Sequence, residues 1–381
     1  MITAKRLDTV QEYYFSKKLR EVADLRAEGK PIINLGIGSP DLAPPPQVVE
    51  ALNKALSSHG AHQYQPYKGI TELRNAIAGF YKKFYGLNLD PETEILPLMG
   101  SKEGIMHISM TFLNPGDEVL LPNPGYPTYS SVSKLLDAKE RNYELKAENN
   151  WLPDLENISG EDLSKVKLMW VNYPHMPTGS VAPDAFFTEL TEFAEKHEIL
   201  VVNDNPYSFI QNDDPKSILR KEGLSDYVME LNSLSKSFNM AGWRVGMLAG
   251  SQKNINSVLK VKSNMDSGMF YPVQVGAVEA LKLSGSWFED QNKIYAKRKK
   301  KILELTSELN CEVRDDQVGL FIWAKTPEGK TSEDIVNDLL YEKDIFITPG
   351  FVFGSQGEGY IRFSLCANEG VIDEALKRIK K

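Results

Sequence analysis

The chain has 381 residues, 41% hydrophobic and 25% charged, a globular composition long enough to favour two domains over one simple core. Its 44 basic and 52 acidic side chains leave a net charge of −8, which argues against a nucleic-acid-binding surface. No apolar run reaches membrane-spanning length and the N-terminus lacks the apolar core of a signal peptide, so a cytoplasmic location is expected.

In chain order, Phe15, Leu19, Val22 and Leu25 are spaced for one face of a helix that Gly29 can cap. A short apolar run at Ile32–Leu35 enters the glycine-rich turn Gly36-Ile-Gly-Ser-Pro-Asp41, and Leu73, Ile77, Phe80 and Phe84 mark a second amphipathic helix. Strand-sized runs then alternate with helical patterns: Glu94–Met99, Glu118–Leu121, Leu168–Val171, Ile199–Val202, Val228–Leu231 and Val245–Leu248. This alternation predicts an α/β fold with a largely parallel, buried sheet covered by helices on both faces. Beyond Leu281 a charged helix is expected over Lys293–Glu308, with Lys297-Arg-Lys-Lys-Lys301 read as its solvated face. A strand near Val318–Trp323, a helix opened by the capping box Thr331-Ser-Glu-Asp334, a strand at Gly359–Ser364 and a closing helix suggest a smaller α+β unit. The expected division is a large domain over 45–285 and a small one built from 1–44 and 286–381, the N-terminal helix packing with the latter. Cys311 and Cys366 make neither a disulfide framework nor a metal cluster, and the five histidines show no ligand spacing, so no metal is expected.

The chemistry concentrates in Ser233-Leu-Ser-Lys-Ser-Phe-Asn-Met-Ala-Gly-Trp-Arg-Val-Gly246. Lys236 stands among hydroxyls with Arg244 eight residues on; a lysine so placed can form a Schiff base, and Ser233, Ser235 and Arg244 suit a phosphate. Together they suggest pyridoxal phosphate, held by an imine and by its phosphate; an ordinary solvated loop has the same residue types. Gly100-Ser-Lys-Glu-Gly104, before a helix, presents free N–H groups to the same dianion, or is only a cap. Asp204, in Asn203-Asp-Asn-Pro-Tyr207, can keep a pyridine nitrogen protonated while Tyr207 donates to the ring oxygen; the alternative is a plain turn. In Asn123-Pro-Gly-Tyr-Pro-Thr-Tyr129 an aromatic can lie against a planar ring or serve the core. Arg362, inside the apolar strand Tyr360–Ser364, needs a partner, either a ligand carboxylate or a structural ion pair.

Taken together, from about Asn34 to Cys366, the chain resembles the fold-type I, class I/II aminotransferases, and more loosely the branch of diaminopimelate aminotransferase-like enzymes through Lys262-Ser-Asn-Met-Asp-Ser-Gly268. The motifs stand in family order: Gly38 in Gly-Ser-Pro-Asp, Tyr64 in Tyr-Gln-Pro-Tyr-Lys-Gly69, Gly100–Gly104, Tyr126 in Pro-Gly-Tyr-Pro, Pro-Thr-Gly179, Asp204–Tyr207, Lys236, Gly-Trp-Arg244 and Arg362. The resemblance implies a mostly parallel seven-stranded sheet and pyridoxal phosphate bound to Lys236, which also moves the proton. It implies Asp204 at the pyridinium, Tyr207 at the ring oxygen, Tyr126 stacked on the ring, and Ser101, Lys102, Ser233, Ser235 and Arg244 around the phosphate. Arg362 and the backbone at Gly38 would hold the substrate carboxylate. Tyr64 would reach the phosphate bound by a second copy, making a homodimer. One position departs: the family's Asn-Pro-Thr-Gly is here Met176-Pro-Thr-Gly179. A thioether donates no hydrogen bond, leaving Tyr207 at the ring oxygen with His175 and Asn172 as candidate substitutes.

The expected reaction is transfer of an amino group from an α-amino acid to a 2-oxo acid, 2-oxoglutarate foremost. The alternative on the same fold is a β-eliminating C–S lyase. A cofactor-sensing regulator would need a DNA-binding domain for which there is no room before Asn34. A nicotinamide dehydrogenase is disfavoured because Asp41 stands where Gly36-Ile-Gly38 would require a third glycine. Side-chain preference is not legible, although Tyr13, Tyr14 and Phe15 are placed to line a pocket mouth or to serve the core.

Overall fold

The computed structural model describes residues 3–10, 12, 14–219 and 223–381. Seven strands form the main sheet: β1 (Ile95–Leu98), β2 (Glu118–Asn123), β3 (Lys139–Glu144), β4 (Val166–Val171), β5 (Leu200–Asp204), β6 (Val228–Ser233) and β7 (Gly246–Gly250). Their order is β1-β7-β6-β5-β4-β2-β3; β7 runs antiparallel to both its neighbours and every other pair is parallel. The strands β5, β6 and β7 are buried along their whole length and β4 at every position but Lys167, which is why apolar runs mark them. β3 escaped the sequence reading. Its residues, Lys-Glu-Arg-Asn-Tyr-Glu, expose every side chain to some degree except Tyr143, as suits the protected edge of a sheet.

Helix α1 (Tyr14–Ala27) packs through Val22 and Leu25 on Ile32, Leu340 and Phe346, tying the N-terminus to the C-terminal part of the chain. There Phe321–Lys325 pairs with Tyr360–Ser364 in a four-stranded antiparallel sheet, and Ile33–Asn34 pairs with Ile345–Phe346. The helix Ser332–Glu342 begins with the expected capping box, Thr331 and Asp334 each bonding the other's backbone N–H.

The charged helix Gly285–Glu308 corrects the reading of Lys297–Lys301 as a solvated face. Arg298 is only 2% exposed: its guanidinium forms a bidentate pair with Asp41 at 2.6 and 2.9 Å and donates to the Leu365 carbonyl at 3.0 Å. Lys299 donates to the carbonyl of Gln317 at 2.6 Å. A helix 24 residues long turns a charged run toward both solvent and protein, and these two cations point inward because acceptors await them there. Asp41 thereby fixes the turn that carries Gly38.

Candidate active site

Strands β5 and β6 end side by side, and the residues beyond their carboxyl ends converge with β7's preceding loop and the start of helix α2 (Ser101–Phe112). This is where open α/β sheets bind ligands. A cavity of about 330 Å³ lies there, lined by Gly38, Ser101, Lys102, Tyr126, Asp204, Tyr207, Ser233, Ser235, Lys236, Arg244 and Arg362. Of the anticipated site residues, only Tyr64 is elsewhere, 89% exposed on the surface.

At one end of the cavity the backbone is shaped for an anion. Helix α2 starts at Gly100, with no side chain capping its first N–H groups. Gly100 has φ +89°, and a Cβ there would stand 2.1 Å from Arg244 Nη2; a Cβ on Gly246 would press on Gly100 at 2.8 Å. Gly100 is required by its left-handed backbone and Gly246 by close approach to the backbone of Gly100. Ser233 Oγ lies 2.8 Å from Ser235 Oγ and accepts from the Ser235 N–H, while Arg244, itself left-handed at φ +57°, is pinned by a 2.9 Å bond to the Ala241 carbonyl. Burial, then the charge of Arg244, lowers the Lys102 pKa.

Asp204 forms the floor. Burial pushes its carboxyl up to about 7, against the lowering effect of a 2.8 Å hydrogen bond donated by Tyr129 and of the Lys236 charge. Oδ2 takes the Tyr129 bond; Oδ1 has no hydrogen-bond partner among the described residues. A fully buried carboxyl with one idle oxygen in a cavity wants a cationic or N–H partner, and a pyridinium nitrogen is one. Tyr129 is not singled out by the sequence as a partner of Asp204. It stacks on Trp170, centroids 5.0 Å apart and rings 5° from parallel, one helical turn after Tyr126 in Pro127–Leu135, and that spacing was the available signal.

Lys236 is buried, which lowers its pKa; Cys366 opposes this, while Arg362 and Arg244 reinforce it. Its ammonium donates to the Gly38 carbonyl. Gly38 is small because a Cβ would fall 2.1 Å from the Phe321 ring. Arg362, paired in register with Trp323, points into the cavity with Nη2 donating to the Gly36 carbonyl at 2.8 Å and Nη1 lying 3.2 Å from Met176 Sδ. Phe321, Phe353 and Phe15 surround its guanidinium at 3.9, 4.7 and 5.6 Å. Tyr13 lies outside the described residues.

Neither candidate substitute for the asparagine replaced by Met176 presents a donor to the cavity in this arrangement. His175 is held neutral by burial, with a pKa of about 3, and its Nδ1 is 2.8 Å from Thr178 Oγ1; it is not part of the lining. Asn172 does line the cavity, but its amide N–H bonds the Asp204 carbonyl and its oxygen accepts from the Met176 N–H at 2.9 Å.

An anion cradle, an idle buried carboxylate oxygen and a desolvated lysine in one cavity fit pyridoxal phosphate: the cradle can take its phosphate, Asp204 its ring nitrogen and Lys236 its aldehyde. The comparisons agree. Residues 30–379 match the family described as aminotransferase class I and II. LL-diaminopimelate aminotransferase of Dehalococcoides mccartyi is 41% identical over 381 residues, covering 100% of this chain and 98% of that one. The apo structure of BacF from Bacillus subtilis is 36% identical and superposes with a TM-score of 0.95, covering 100% of this chain and 98% of that one. The aromatic aminotransferase of Pyrococcus horikoshii is 30% identical with a TM-score of 0.86, covering 94% and 97% of the two chains. The chain therefore belongs to the class I and II aminotransferases, pyridoxal-phosphate-dependent enzymes that transfer amino groups.

Proposed function

We propose that this aminotransferase moves the amino group of an α-amino acid to 2-oxoglutarate, with Lys236 as the catalytic base and acid and Arg362 as the anchor of the substrate carboxylate. The carrying observation is that Lys236, Asp204 and Arg362, far apart in sequence, line one cavity beside the anion cradle of Gly100–Lys102 and Arg244. When bound, pyridoxal phosphate supplies an electron sink that makes the proton on the substrate's Cα removable.

The remaining work falls to the chain. Ser101, Lys102, Ser233, Ser235 and Arg244 hold the phosphate through N–H groups, hydroxyls and charge. Asp204 keeps the ring nitrogen protonated, because a carboxylate desolvated this far is stabilised by the cation opposite it. Tyr126 and Tyr207 line the cavity where the ring would lie, and Tyr207 would donate to its oxygen. Arg362 fixes the incoming α-carboxylate, with the Gly38 backbone completing the seat. Lys236 Nζ, its pKa lowered by burial, is the group that would take the Cα proton and hold it for return during the transfer. Tyr64, fully surface-exposed and outside its own cavity, fits a role in the site of a second copy, and we propose a homodimer on that ground.

The test is the visible spectrum of the purified protein. Single amino acids should bleach the band of the lysine-bound cofactor and 2-oxoglutarate should restore it, while Lys236→Ala should lower turnover by several orders of magnitude. Release of pyruvate and ammonia from a cysteine conjugate without any oxo acid, with the band unbleached, would overturn transamination in favour of elimination.

A further inference from the structure

The cavity has a wall that the transfer chemistry does not use. Phe15 and Leu19 of α1, with Ile37, Met176, Phe321 and Phe353, bring apolar surface from five separated stretches of chain to it. Three of these rings stand within 5.6 Å of the Arg362 guanidinium, so a substrate whose α-carboxylate sits on Arg362 has apolar surface beside it. Phe321 also meets Tyr207 edge-on at 5.9 Å, so the wall continues to the edge of the cofactor-binding residues.

The charges are equally informative. Lys102, Lys236, Arg244 and Arg362 line the cavity against a single carboxylate, Asp204, among the described lining residues. Asp204 is 5% exposed and holds the Tyr129 hydroxyl. A distal ammonium on the substrate would thus be desolvated with no carboxylate among the described lining residues to receive it. Tyr64, the residue the family resemblance would bring from a second copy, adds another aromatic and no acid.

We infer that the amino donor carries an uncharged apolar side chain, aromatic foremost, and that donors bearing a distal ammonium, diaminopimelate among them, are rejected. This rests on Arg362 as the carboxylate anchor, and it separates the chain from the activity named for its Dehalococcoides mccartyi relative.

The experiment mixes cofactor-loaded enzyme with single amino acids in the absence of oxo acid and follows the loss of the visible band. L-Phenylalanine and L-leucine should react with second-order rate constants about 100-fold or more above those of L-lysine and LL-diaminopimelate, the size expected when a buried charge is left unpartnered. Comparable or faster reaction of LL-diaminopimelate would overturn the inference while leaving transamination intact; no reaction with any amino acid would instead sink the proposed function. Binding gives a readout free of turnover: 3-phenylpropionate should shift the cofactor spectrum at lower concentration than 6-aminohexanoate, and the reverse order would refute the apolar wall. Leu19→Glu, at a half-buried position that tolerates a charge, should improve the LL-diaminopimelate to phenylalanine ratio by about tenfold by supplying the missing carboxylate. An unchanged ratio would mean that side chains do not pass along this wall.

Discussion

Tyr129→Phe isolates a single hydrogen bond at the floor of the site. The ring would keep its stack on Trp170 at 5.0 Å, so packing should be conserved and only the hydroxyl lost. That hydroxyl donates to Asp204 Oδ2 at 2.8 Å, and Oδ1 has no partner among the described residues to take over. Hydrogen bonds to charged groups contribute about 1.5–3 kcal/mol net, and a charge as desolvated as this belongs in that range. Because the bond favours the ionised carboxylate, its loss raises the Asp204 pKa further and weakens the anion that faces the ring nitrogen. Cofactor affinity should fall about 10- to 100-fold. Titrating the apoprotein with pyridoxal phosphate, followed by tryptophan fluorescence and the visible band, measures it directly. A Kd within threefold of the parent protein's would refute the reasoning and return Tyr129 to a packing role.

Gly100→Ala should act at the opposite end, since its φ of +89° is hostile to a side chain and the new Cβ would lie 2.1 Å from the Arg244 guanidinium. Strain of about 1–3 kcal/mol and a displaced Arg244 should weaken pyridoxal phosphate binding while leaving that of phosphate-free pyridoxal nearly unchanged, a ratio read by parallel titrations. A pH effect follows from two fully buried carboxyls, Asp204 and Glu230, which burial raises to about 7 in each case. With folded values above the unfolded 3.8 and 4.5, their protonated forms favour folding at low pH, and that contribution is lost as pH climbs through about 7. The urea midpoint of the apoprotein should therefore drop between pH 5 and pH 8, and Asp204→Asn and Glu230→Gln should each flatten the drop; an unaltered slope in both variants would refute it.

The reacting centre was legible in the sequence because its members stand next to signals that local physics makes strong. Lys236 and Asp204 follow buried apolar strands, where a polar group is conspicuous, and Arg362 interrupts one. What escaped was set by distant partners. Nothing around Arg298 announces that Asp41, 257 residues away, will bury it, and a run of five basic residues gives no hint of which one turns inward. Strand β3 has the composition of a surface segment, since only one of its faces at one position is covered. The apolar wall is the clearest case: Phe15 reads equally as pocket mouth or core, Phe321 sits in an apolar run, and nothing near Phe353 marks it, yet the fold brings all three round the Arg362 guanidinium.

Met176 ties these observations together. At a position where the family places an asparagine, this chain has a group that cannot donate, and the hydrogen bond forgone is worth about 0.5–1.5 kcal/mol. The thioether is not idle: its sulfur lies 3.2 Å from Arg362 Nη1, so the guanidinium is still braced from that side, by a soft acceptor in place of an amide. Its methyl and methylenes meanwhile extend the apolar wall of Ile37, Phe321 and Phe353. A polar amide there would need a partner of its own wherever an apolar side chain lay against it, whereas a thioether needs none. The substitution leaves Lys236 and Asp204, on which the transfer depends, untouched and changes the surface that the substrate side chain meets. Under the donor preference inferred above, that division lets the same fold keep its reaction while changing its donor.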